Sequence, residues 1–126
     1  MKLKTLKEYP CASGVDCNDW DSMDAKIHTI AKFFIGYAEA RGLRVLFTSL
    51  IRTENDGMSK SRTHQEGRAV DCSVRGWTVK EMNDCREYLD VVCSNIGAIT
   101  TSGKIVVALL HDSGHSLHLH LQCRRS

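Results

Sequence analysis

Polar and apolar residues alternate without a break along Ser116-Leu117-His118-Leu119-His120-Leu121-Gln122. On a β-strand successive side chains point to opposite faces, so Leu117, Leu119 and Leu121 share one side and His118, His120 and Gln122 the other. The leucine side suits burial against a core. The imidazole side is either a solvated strand edge or a surface offering nitrogen ligands and proton carriers, and alternation alone does not choose between them. Elsewhere the period changes. From Asp21 to Arg41 the apolar positions Met23, Ile27, Ile30, Ala31, Phe34, Tyr37 and Ala38 recur at helical spacing, with Asn18 or Asp19 as the candidate cap and Gly42 as the stop. His28 lies beside this stripe and reads as a helix-surface histidine. Leu43 to Ile51 is rich in β-formers and reads as a strand with two buried faces. Residues 52–67 make a long polar loop, of a length that in a compact domain is often functional. Arg68 to Val74 is a short strand. Thr78 to about Asn95 is a second helix, opened by a Thr78/Glu81 capping-box pattern, striped by Met82, Cys85, Leu89, Val92 and Cys93, and closed by Gly97. Lys104 to Leu110 is a strand, and His111-Asp112-Ser113-Gly114 turns the chain into the histidine strand.

This order predicts an α+β fold, a small, mostly antiparallel sheet with helices packed on one face. The 126 residues suit one domain, with residues 1–18 as an irregular N-terminal arm. Seventeen basic against fifteen acidic residues, a net charge of +2, give no electrostatic footprint for nucleic acid. The longest apolar run, Ile105 to Leu110, falls far short of the roughly 20 residues that span a bilayer, so no stable membrane association is expected. The opening Met-Lys-Leu-Lys-Thr-Leu-Lys lacks the apolar stretch of roughly 7–15 residues of a signal peptide. Cytoplasmic synthesis without such a signal is therefore expected, with release by another route if the protein acts outside. Six cysteines are present, and the missing signal argues for reduced thiols. Cys72, Cys85, Cys93 and Cys123 fall in apolar-patterned elements, where a thiol behaves as a small hydrophobe. Cys11 and Cys17 are spaced too widely for a zinc knuckle, and a local disulfide between them ranks below free thiols. Trp20 and Trp77 read as core residues rather than cleft residues.

The second chemical signal is His64-Gln65-Glu66-Gly67-Arg68-Ala69-Val70-Asp71. Gly67 and the β-formers after it disfavour a helix, so the workable geometry is a turn at Glu66-Gly67 that brings a loop histidine back over a strand aspartate. Asp71 lies between Val70 and Cys72, and a carboxylate there is costly unless it is paired or bound to a cation. Together His64, Asp71 and His120 offer two imidazoles and one carboxylate. That matches a catalytic zinc site, three protein ligands with a position left for water, better than a structural site closed by four ligands.

These residues resemble a known family. The chain is similar to the zinc peptidases of the lysostaphin-type, D-Ala-D-Ala metallopeptidase and hedgehog-fold group, most of all to the D-Ala-D-Ala carboxypeptidase and phage-endolysin branch. That family carries S-x-H-x6-D and, near the C-terminus, H-x-H, often with another histidine three residues earlier. The first part is met by His64 and Asp71 with the small-residue pattern G-x-A-x-D between Gly67 and Asp71, the second by His118 and His120 with His115 ahead of them. The likeness runs from about Leu43 to Cys123. One departure is Arg62 where the family has serine, with Ser61 one step earlier, which touches a supporting contact rather than a ligand.

The resemblance implies a hedgehog/D-Ala-D-Ala-peptidase-like sheet holding one zinc ion per chain on His64, Asp71 and His120. It implies His118 as general base or transition-state stabiliser, with His115 a second candidate for either role. Arg52 would bind the substrate carboxylate, with Arg62 and Arg68 as rivals, although a solvated arginine at a strand end reads equally well. The implied activity is hydrolysis of an amide bond in peptidoglycan stem peptides, as an endolysin-type endopeptidase or a carboxypeptidase. The alternative is a non-catalytic zinc-containing binding domain of the hedgehog type. A monomer is expected, acting on the cell wall after release in phage lysis.

Overall fold

The computed structural model describes residues 5–51, 66–112 and 117–125. Two helices, α1 (Ala25–Ala40) and α2 (Val79–Val92), accompany six strands: β1 (Phe47–Ser49), β2 (Ala69–Ser73), β3 (Ala98–Ile99), β4 (Ile105–Val106), β5 (Ala108–Asp112) and β6 (Leu117–Gln122). Four of them form one sheet in the order β1-β2-β6-β5, antiparallel at every pairing, and β3 and β4 form a separate antiparallel ribbon. The predicted α+β class with a small antiparallel sheet is what the chain adopts.

The sheet's two faces follow from register. Val70 pairs with Leu121 and Cys72 with Leu119 across β2 and β6, while Ala108 and Leu110 on β5 meet Leu121 and Leu119 from the other side. These side chains share one face, and it is the core face: Val70, Cys72, Leu119 and Leu121 are all fully buried. They belong to one apolar cluster with Ile27, Ile30 and Phe34 of α1 and Met82, Cys85 and Leu89 of α2. Each fully buried leucine adds about 1.5–3 kcal/mol of apolar transfer energy. Leu117, expected on the same buried face, is 39% exposed; it is the first residue of β6, paired with Asp112 at the end of β5.

Local signals set the helix ends. Asp24 caps α1 by accepting from the Lys26 N–H at 2.8 Å. The expected cap at Asn18 or Asp19 instead lies in a 3-10 turn, Cys17–Ser22, which buries Trp20 edge-on against Phe47. Burying that indole takes precedence over starting the helix early. At the other end Gly42 adopts φ +67°, and the Gly42 and Leu43 amides bond back to Glu39 and Ala38. That is the paired helix stop which glycine makes cheap. The Thr78/Glu81 capping box of α2 forms in both directions. Trp77 packs into the core, stacked on Phe34.

Three further expectations are revised. The strand expected over residues 43–51 is regular only from Phe47 to Ser49. The strand expected to end at Leu110 breaks at Val107 and then continues to Asp112, so His111 and Asp112 are strand rather than turn residues. The reason is pairing: β5 follows β6 residue for residue as far as Asp112 opposite Leu117. Finally, Cys11 and Cys17 are joined in a disulfide, not free. The arm lies along β1, where the Phe47 N–H donates to the Pro10 carbonyl and the Ala12 N–H to the Phe47 carbonyl. That docking folds the segment back until the two Cα atoms are 6.1 Å apart, within disulfide reach. Closing so short a loop is worth about 2 kcal/mol on the chain-entropy account. The double variant Cys11→Ser/Cys17→Ser is expected to lose about that much in urea unfolding, and wild type in reductant to lose the same.

The other four cysteines are free and buried, as expected. Burial pushes the Cys85 thiol up to about 12 and those of Cys93 and Cys123 up to about 11, so they are inert at neutral pH.

Candidate functional site

The site lies on the sheet face opposite the core. Register places Asp71 beside His120, Ser73 beside His118, and Ala69 beside Gln122 across β2 and β6. Across β5 and β6 it places His111 beside His118. Asp71 is the one polar or charged residue buried among the described residues, with 3% of its surface exposed. A carboxylate so buried needs partners, and the strand pairing supplies them. His120 Nδ1 lies 2.9 Å from Asp71 Oδ1, and His118 Nε2 lies 3.7 Å from the same oxygen. The two imidazoles therefore converge on one carboxylate oxygen from adjacent positions of a single strand face. Both histidine side chains are themselves largely covered, at 12% and 15% exposure, so neither is a solvated edge residue.

Two further side chains extend this row. His120 Nε2 lies 3.1 Å from Gln122 Oε1, and Gln122 Nε2 donates to the Val106 carbonyl. At the other end His111 Nδ1 lies 3.3 Å from His118 Nε2, the two rings edge to face. His111 is exposed and His118 is not, so the pair links the covered part of the row to solvent. The sequence reading placed His111 beside the site as a turn residue supporting the ligands; the structure puts it on β5 and against His118. The available signal was the apolar alternation of Ala108 and Leu110, which places His111 on the polar face once the strand is allowed to run on.

Of the residues singled out from the sequence, Asp71, His118 and His120 are brought together. His64, His115 and Arg52 lie outside the described residues, as does Arg62. Arg68 is committed elsewhere. Its guanidinium donates to the Cys123 carbonyl and to Glu66, and Glu66 also receives Arg125 from the C-terminal end. Hydrogen bonds from Arg125 and then Arg68 hold the Glu66 carboxyl at about 2. A depressed carboxyl stabilises the fold above its ordinary value of 4.5 and loses that contribution as pH falls towards 2, so this clamp is fully formed at neutral pH. It ties the residues that precede β2 to those that follow β6. His28 is not a loose surface histidine either: its Nε2 donates to the Trp20 carbonyl at 2.7 Å, tying α1 to the 3-10 turn.

A carboxylate oxygen and an imidazole nitrogen are donor types that zinc accepts, and Asp71 Oδ1 and His120 Nδ1 stand 2.9 Å apart. Among the described residues no group of three or more histidines, cysteines or carboxylates is disposed as a complete metal cage. The described part of the implied set is the Asp71–His120 pair. No described helix is long and apolar enough to cross a membrane. Comparison of the chain with models of protein families, with curated proteins and with solved structures finds no match.

Proposed function

We propose that this chain is a zinc-dependent peptidase that hydrolyses an amide bond in peptidoglycan stem peptides. The observation that carries the proposal is the buried Asp71 carboxylate with His120 Nδ1 at 2.9 Å and a second, covered imidazole beside it. Apolar packing has no use for a carboxylate and two imidazoles gathered on one strand face, and water solvates none of them freely. A metal centre with an adjacent proton carrier uses all three.

In this reading Asp71 and His120 hold zinc together with His64. Bound zinc supplies a Lewis acid that polarises the scissile carbonyl and makes water acidic enough to lose a proton near neutral pH. His118 is the proton carrier. It shares the face of His120 and stands 3.7 Å from Asp71 Oδ1, where a neutral imidazole accepts a proton and passes it to the leaving amine. His111, against the same ring nitrogen, links the His118 ring to solvent. His115 is a second candidate for stabilising the transition state, and Arg52 for holding a substrate carboxylate through paired N–H donors. Action on the cell wall, as a monomer and as part of a phage lysis system, belongs to the same proposal.

The test is mass spectrometry of purified peptidoglycan digested by the zinc-loaded protein. Released stem-peptide fragments that disappear with chelator and return with zinc are expected. Stoichiometric zinc with no fragments released would leave a zinc-containing binding domain. Absence of stoichiometric zinc by elemental analysis would remove both readings.

A further inference from the structure

Gln122 follows His120 by two residues and shares its face of β6. Its amide has two partners: Nε2 donates to the Val106 carbonyl at 3.3 Å, and Oε1 faces His120 Nε2 at 3.1 Å. The chemistry of these groups allows one arrangement. The Val106 oxygen only accepts, so the amide NH2 must face it and the amide oxygen must face the ring. The amide oxygen also only accepts, so His120 Nε2 must carry its proton. The remaining ring nitrogen is Nδ1, 2.9 Å from Asp71 Oδ1; that oxygen too only accepts, so a proton stands between the two atoms until a cation takes its place.

We infer that Gln122 is a positioning residue that fixes the proton of His120 on Nε2 and thereby makes Nδ1 the atom His120 offers, with Asp71, to a divalent cation. The inference rests on the zinc reading above and names the atom through which this ligand acts. Metal-binding histidines are commonly oriented in this way, through the ring nitrogen that does not touch the metal. The acceptor behind Gln122 is itself held firmly. Val106 ends β4 at the strand break, where the next two amides, of Val107 and Ala108, both donate to Asp90 Oδ1 on α2 at 2.8 and 3.2 Å. The Gln122 backbone N–H donates to the Val107 carbonyl at 2.8 Å. A line of hydrogen bonds thus runs from α2 through the strand break and Gln122 to His120 and Asp71.

The experiment uses the full chain, zinc alone as the probe, and two variants. Gln122→Leu removes the acceptor from the ring. Gln122→Glu keeps an acceptor for the Nε2 proton but cannot donate to Val106, so any rescue isolates the bond to the ring. Nitrogen-15 NMR of the His120 ring reports which nitrogen carries the proton, and calorimetry reports zinc affinity. In wild type the Nε2 proton is expected with and without zinc. Gln122→Leu is expected to lose that fixed signature and to bind zinc roughly 10–100-fold more weakly, and Gln122→Glu to restore both. A wild-type ring protonated on Nδ1 with a bare Nε2 overturns the inference. So does a Gln122→Leu variant with wild-type zinc affinity and an unchanged ring spectrum, or equal weakening in both variants, which would mark Gln122 as merely structural. If wild type takes up no zinc, the peptidase reading falls separately. The ring spectra still decide the proton's place: an Nε2 proton present in wild type and lost in Gln122→Leu upholds the role of Gln122.

Discussion

Asp71→Asn is expected to abolish zinc binding and hydrolysis together while leaving the sheet intact. The substitution keeps the side chain's volume and removes its charge, and the neighbours Val70 and Cys72, which face the core, are untouched. What changes is the buried carboxylate on which His118 and His120 converge. A neutral amide is a poor ligand for a divalent cation. Zinc affinity should therefore fall by more than the roughly 10–100-fold typical of losing an outer partner. Hydrolysis should fall on the order of 10³-fold or more, the scale set by losing several kcal/mol of metal-derived charge stabilisation at about 1.4 kcal/mol per factor of ten. Zinc calorimetry and fragment release from peptidoglycan measure the two losses, and circular dichroism checks the fold. Wild-type zinc affinity in a folded Asp71→Asn variant would take Asp71 out of the ligand set, and the proposed site with it.

His118→Ala separates the roles that Asp71→Asn removes together. Zinc binding is expected to persist and turnover to fall roughly 10²–10⁴-fold, the usual contribution of a positioned proton carrier. The expectation follows from position. His118 lies 0.8 Å farther from Asp71 Oδ1 than His120 does, comparing 3.7 with 2.9 Å, and its Nε2 is turned also towards His111. In the proposed reading a ring so placed would sit beside the metal rather than on it. The informative measurement is the ratio of zinc content to turnover in one preparation. Loss of zinc in His118→Ala would make His118 a ligand and transfer the proton-carrier role to another histidine.

Much of this arrangement is legible in the chain because it depends on local periodicity. Alternation at two residues put Leu119 and Leu121 on one side and His118, His120 and Gln122 on the other, and any strand built from those residues must separate them so. The flanking Val70 and Cys72 marked Asp71 as a carboxylate in an apolar setting, which has to be paired. Helical spacing and the Thr78/Glu81 box located both helices, since caps and apolar stripes act within a turn or two of chain. The errors fall where the outcome depends on a distant partner. His111 was assigned to a turn because four polar and glycine residues follow Leu110. It lies on a strand because β6 is there to pair with it. The cysteines of the arm were read as thiols on the reducing environment expected for the chain, whereas their approach is created by the docking of residues 10–12 on Phe47.

The amino-acid sequence by itself determined which side chains share a face, which stretches are helical, and which residue types could serve a metal. Only the tertiary structure decided that Asp71 and His120 stand side by side, that His111 joins His118, and that Gln122 is oriented by the Val106 carbonyl. The physical reason is that a strand's own pattern sorts its residues between two faces, whereas contacts across strands depend on register, and register is set by the packing of the whole core face against α1 and α2.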